Sequence, residues 1–273
     1  MAAGSTVSAA SQNIVAAISS ASRRTGADFS YLVDTAMRES SFNPGAQAKT
    51  SSAAGLFQFI EQTWLQALKT HGPALGFEKE AGAIAEDRST GRLAVGDKSA
   101  EDAILSLRFD PKASALIAGA MAVESRETLE TRLGRPLREG ELYASHFLGV
   151  NGAATLIEAA AREPKSPAAE LFPKAARANA SVFYDDAGRP RTNEALLQKL
   201  TARPNAAPAL DRMGNDVSEG EGDARSPIGL YGATRRTSAG QRGALVLSPL
   251  AMSTLQSLDP TRLRAQSDKQ DRS

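Results

Sequence analysis

At 273 residues, 41% hydrophobic and 23% charged, the chain can bury one substantial core and still carry tails. A net charge of +1 gives no global pull toward nucleic acid or anionic membrane, and the absence of cysteine excludes disulfide scaffolds and thiolate metal sites. With two histidines a multi-histidine metal centre is not expected, nor any other cofactor, and no apolar run approaches the roughly 20 residues that span a bilayer.

Apolar residues recur at helical spacing almost everywhere. Val7, Ala10, Ile14, Val15 and Ile18 form one face of a first helix, with Ser5 or Thr6 as its N-cap. Ser30 is expected to cap a second, in which Leu32, Val33, Ala36 and Met37 share a side. That helix must stop near Ser40 or Ser41, because Asn43-Pro44-Gly45 is a strong breaker. Glu39 therefore falls in a last turn, opposed by the negative end of the helix dipole.

Residues 47–55 are small and polar and read as a loop, followed from about Gln62 by a helix carrying Trp64, Leu65 and Leu68. Trp64 is expected in the core rather than stacked on a sugar, and His71 at a helix end. The stretch 72–98 shows no periodicity and is expected to be irregular. Ser99 and Asp102 resemble a capping box, and Asp110-Pro111 pairs an N-cap with proline at the first helical position. Further helices fit 126–133, 138–148, 152–161 with Asn151 as cap, and 193–201. Residues 1–202 thus read as one helical domain. From 203 to 273 the composition turns toward Gly, Ser and scattered charge, a tail expected to be largely disordered. Within it the apolar segment 243–258 suits a short helix docking on a partner.

The chemistry concentrates around Glu39. Glycoside cleavage needs a carboxylic acid beside the leaving oxygen, and Phe42, Leu56 and Phe57 are the apolar neighbours available to bury one here. The usual mechanism adds a second carboxylate roughly 5 to 9.5 Å away. Asp34 lies off the Glu39 face of the helix, and no Asp or Glu follows before Glu61. Either the second acid comes from far along the chain or one Glu does both jobs, with the substrate's own N-acetyl group stabilising the cationic centre. Gln58 suits an acetamido group because its amide both donates and accepts, and Gly55 admits close backbone approach.

Glu39-Ser40, Phe42-Asn43-Pro44 and Gly55-Leu56-Phe57-Gln58 together resemble the soluble lytic transglycosylase family. The resemblance, covering roughly residues 13–161, implies an all-α, lysozyme-like fold and an enzyme cutting the MurNAc–GlcNAc β-1,4 bond of peptidoglycan. It implies Glu39 as sole acid/base, supported by Ser40, with Gly55, Leu56, Phe57 and Gln58 lining the saccharide groove. The family's third motif, Ala-Tyr-Asn-Ala-Gly, is replaced here by Ser145-His146-Phe147-Leu148-Gly149. His146 takes the place of the tyrosine, and Tyr143, one turn earlier, is the residue able to substitute for it in space.

Two outcomes stay open for the reaction: the sugar's own 6-hydroxyl as acceptor, giving 1,6-anhydro ends, or water, giving a muramidase. Two other classes compete, a non-catalytic peptidoglycan-binding or assembly module and a purely helical interaction protein. The resemblance implies service to an envelope-spanning machine, and with it the tail is expected to dock on a flagellar, secretion or other envelope-assembly protein. A wall substrate implies the periplasm or cell envelope of a bacterium. The opening Met1-Ala2-Ala3-Gly4-Ser5 lacks the positive n-region and continuous apolar core of a secretory signal, so the export route stays open.

Overall fold

The structure, a computed structural model, describes residues 9–49 and 51–203. Within that range the fold is mostly helical, as expected for the all-α class. Ser5, Thr6, Val7 and the segment 243–258 lie outside the described residues.

Helix α1 (Ala9–Thr25) buries Ile14, Val15 and Ile18, while Ala10 is exposed. Helix α2 (Phe29–Ser40) is capped not by Ser30 but by Asp28, whose extended backbone lets its carboxylate accept from the Tyr31 N–H at 2.8 Å. Helix α3 (Glu61–His71) carries Trp64 into the core. Its side chain is fully buried, the indole N–H donates to the Ile104 carbonyl at 2.8 Å, and the ring tilts against Phe59.

The stretch expected to be irregular holds a 3-10 turn (Gly72–Leu75), helix α4 (Glu78–Ala83), and an antiparallel hairpin of β1 (Ile84–Glu86) and β2 (Leu93–Val95). Elements this short end before a helical or alternating period can repeat, so periodicity does not reveal them. Helix α5 (Lys98–Ser106) is capped by Asp97, which accepts from the Ala100 N–H, and not by Ser99.

Helix α6 (Pro111–Leu133) starts at the Asp110-Pro111 signal but runs unbroken through the separate helix expected at Arg126, because fully buried Leu129 continues its inner stripe. Helix α7 (Glu141–Arg162) joins the two helices expected there, interrupted at Gly149 by non-helical backbone. Asn151 is not a cap; its side-chain oxygen accepts from Arg132 at 2.9 Å. Three short helices follow, α8 (Ala168–Leu171), α9 (Pro173–Ala178) and α10 (Ala180–Phe183). Helix α11 (Asn193–Thr201) is capped by Thr192.

Helix α1 packs along α6, α11 along α7, and α6 against α7. A continuous core runs between them, with Leu32, Leu68, Ile117, Leu156, Phe183 and Leu196 fully buried. Transfer from water favours each such side chain by roughly 1.5–3 kcal/mol, against typically less than 1 kcal/mol for an exposed ion pair. Apolar packing, not surface charge, therefore dominates the stability of the fold. No described helix is long and apolar enough to cross a membrane.

Candidate active site

Glu39 sits in the last turn of α2, which closes on Ser41 in the left-handed region (φ 53°). The N–H groups of Ser41 and Phe42 return to the Met37 and Ala36 carbonyls, satisfying helix-end acceptors as left-handed caps do. Among the described residues the non-glycine positions with positive φ are Ser41, Phe42 and Gln58, all within this one segment. Each costs on the order of 1 kcal/mol or more, so the surrounding structure must enforce the turn.

That enforcement is visible residue by residue. The Ser40 hydroxyl donates to the Leu56 carbonyl at 2.8 Å, with the Ala36 carbonyl at 3.1 Å, and accepts from the Asn43 N–H. Ser40 thus ties the helix end to the loop behind it. Gly55 has φ 81°, and a Cβ there would lie 1.8 Å from the Arg108 carbonyl oxygen. The expected reason for this glycine, close approach to a sugar, gives way to close approach of a neighbouring backbone.

Arg108, buried just before α6, donates to the Ser52, Phe59 and Leu105 carbonyls and so holds both ends of the loop. Burial lowers its guanidinium pKa from the usual value, with nearby Glu61 acting in the opposite sense. Sequence reasoning missed this residue. Its loop partners, Ser52 and Phe59, are main-chain carbonyls 56 and 49 positions away, and these leave no pattern.

The remaining loop residues face inward. Leu56 is fully buried and Phe57 nearly so, in the core rather than along an open groove. Phe57 and His146 border a cavity of about 20 Å³, room for roughly one water molecule. Gln58 donates its amide to the Gly55 and Ala46 carbonyls at 2.9 and 3.2 Å. Only its amide oxygen is left for another partner.

The opposite wall comes from α7. The Tyr143 hydroxyl donates to Glu39 Oε1 at 3.1 Å. His146 Nε2 lies 3.1 Å from the same oxygen but does not meet the geometry of a hydrogen bond to it. Distance without alignment does not make a hydrogen bond, so Nε2 is a buried nitrogen left without one. The Tyr143 and His146 rings stack at 5.6 Å, and the Arg38 guanidinium sits 3.9 Å from the Tyr143 ring centre. Burial raises the Tyr143 hydroxyl pKa, and the Glu39 charge adds to the rise, so it stays a proton donor throughout the neutral range. Tyr31, desolvated on α2, is pushed up to about 12.

Glu39 is nearly enclosed, its side chain 7% exposed. Its Oε1 is taken by the α7 wall, and Oε2 has no partner among the described residues. Asp34 does not supply a second free carboxylate, because both its oxygens accept from Arg203. Among the described residues no cluster of acidic and histidine side chains could hold a metal ion.

Residues 16–74 match the family model for the transglycosylase SLT domain. The match takes in α2, the turn at Ser41 and the loop through Gln58, and stops short of the α7 wall. With Glu39 and Gln58 both inside it, this segment is similar to the transglycosylase SLT domain, which supports lytic transglycosylase activity on peptidoglycan in general.

Proposed function

We propose that Glu39 is the single acid/base of a lytic transglycosylase that cleaves the MurNAc–GlcNAc β-1,4 bond and leaves 1,6-anhydro-MurNAc ends. The observation that carries this is the asymmetry of its carboxyl group. Tyr143 holds Oε1, while Oε2 is left for chemistry in a nearly dry site.

In this reading Oε2 donates its proton to the glycosidic oxygen, and the bond from that oxygen to C1 of MurNAc breaks. The acetamido oxygen of the same sugar stabilises the cationic C1. The Glu39 carboxylate then takes the proton from the 6-hydroxyl, whose oxygen attacks C1 to close the anhydro ring. Glu39 ends protonated, ready for another turnover. The Tyr143 hydroxyl acts as a fixed donor, stabilising the carboxylate between the two proton transfers. His146 walls the same oxygen, and the Gln58 amide oxygen offers an acceptor to the substrate acetamido N–H.

Purified protein should release soluble fragments from sacculi, and Glu39→Gln should reduce that release by about a thousandfold or more. Full activity in Glu39→Gln would assign the acid elsewhere. Residues 1–203 are proposed as the catalytic unit, one position beyond the boundary read from composition, because Arg203 is tied to α2. The following residues are proposed to dock an envelope-assembly partner and restrict wall opening to one place.

A further inference from the structure

We propose that the chain leaving α11 is a positioning device for the active site. The Arg203–Asp34 pair and the Arg38–Ala202 bond hold Arg38 against the Tyr143 ring and so keep the Tyr143 hydroxyl on Glu39. This rests on the reading of Glu39 as the acid/base and deepens it.

The observations form one connected path. Gly140, at the start of α7, has φ 77°, and a Cβ there would lie 2.5 Å from the Thr201 carbonyl oxygen. Only a glycine lets the end of α11 come this close to α7. The next two residues then reach α2. The Arg38 guanidinium donates to the Ala202 carbonyl. Arg203 makes a two-pronged bond to Asp34, Nε to Oδ2 at 2.7 Å and Nη2 to Oδ1 at 2.8 Å.

Asp34 and Arg38 are one turn apart, on the same face of α2. The catalytic helix is therefore fastened at two successive turns to a strand of chain more than 160 positions away. Side-chain exposure at the ion pair is 25% and 14%, so solvent and salt screen it only in part.

A purely structural clasp would explain the fastening but not where it leads. Arg38 directly precedes Glu39, and its guanidinium rests on the ring whose hydroxyl contacts Glu39. The Tyr143 ring is thereby held by a cation on one contact and by the His146 ring on another. Arg38, Asp34 and Arg203 are positioning residues. They touch no reacting atom and act through Tyr143.

The test uses full-length protein carrying Arg38→Ala, Arg203→Ala, Arg203→Lys, or the charge exchange Asp34→Arg with Arg203→Asp. Turnover on purified sacculi is measured at saturating and limiting wall, across pH, beside thermal melting. Arg38→Ala and Arg203→Ala should lower saturated turnover about ten- to a hundredfold, leave KM within about twofold, and move the pH–rate profile. Arg203→Lys, which keeps the charge but loses the fork, should fall between, and carries the test if Arg203→Ala does not fold. The charge exchange should restore part of the lost turnover.

Unchanged turnover and pH profile alongside a lowered melting temperature would overturn the proposal in favour of a structural clasp. A raised KM at unchanged saturated turnover would overturn it in favour of a substrate contact. Glu39→Gln, run in parallel, separates the two levels. If it stays active, the acid assignment fails; if it is inactive while the Arg203 variants behave as wild type, only the positioning proposal fails.

Discussion

The two walls that meet at Glu39 are built on different principles. The α2 wall and its loop are shaped by backbone: positive φ at Ser41, Phe42, Gly55 and Gln58, and a carbonyl pressed against Gly55. The α7 wall is shaped by side chains, Tyr143 and His146, projecting from the regular first part of α7, ahead of the break at Gly149. A backbone wall tolerates few residue types at each position, whereas a side-chain wall can be rebuilt from a different turn of its helix. The matched segment, 16–74, contains the first wall and not the second.

The comparison breaks most sharply at Gly55. Gly55→Ala forces both a strained φ and a clash with the Arg108 carbonyl, so it should cost about 3–5 kcal/mol of stability in denaturant unfolding. A loss below about 1 kcal/mol would mean the loop wall is not backbone-limited.

On the other wall, Tyr143→Phe keeps the ring and its Arg38 contact but removes the donor. Turnover should drop about a hundredfold while the melting temperature hardly moves. An equal loss of stability would place Tyr143 in the scaffold instead.

A smaller effect is expected where α7 begins. Burial raises the Glu141 carboxyl pKa, but the two-pronged bond from Arg135, the Arg138 N–H and both guanidinium charges outweigh it and hold it below the usual range. A depressed folded-state value contributes stability above the ordinary carboxylate pKa, and that stability is lost as pH falls through the folded value. Glu141→Gln should therefore destabilise by about 2 kcal/mol at neutral pH, with the difference closing in acid. A penalty that is flat with pH would show that the ion pair is not what anchors this wall.

Much of the first wall was legible in the sequence. Asn43-Pro44 ends α2 where expected, and Glu39-Ser40 with Gly55 to Gln58 marks the loop, because steric limits on a tight turn reduce the choice of residues. The reasons assigned to individual residues were less legible. Gly55 answers to Arg108, Ser40 to Leu56, and Leu56 to the core, all contacts across the fold.

Caps moved by two positions, from Ser30 to Asp28 and from Ser99 to Asp97, since both candidates in each pair can accept a hydrogen bond and the extended backbone decides. The hairpin 84–95 and the helices from 168 to 183 are too short to show a period. Arg38, Arg108, Asp34 and Arg203 carried no signal, because their partners are set by tertiary proximity alone.

The most direct measurement is mass analysis of fragments released from sacculi by the wild-type protein and by Glu39→Gln. One carboxyl group serving first as acid and then as base on the 6-hydroxyl predicts 1,6-anhydro-muramyl ends from the wild type and release lower by about a thousandfold or more from the variant. Reducing muramyl ends from the wild type, or anhydro products from Glu39→Gln at the wild-type rate, would contradict the account.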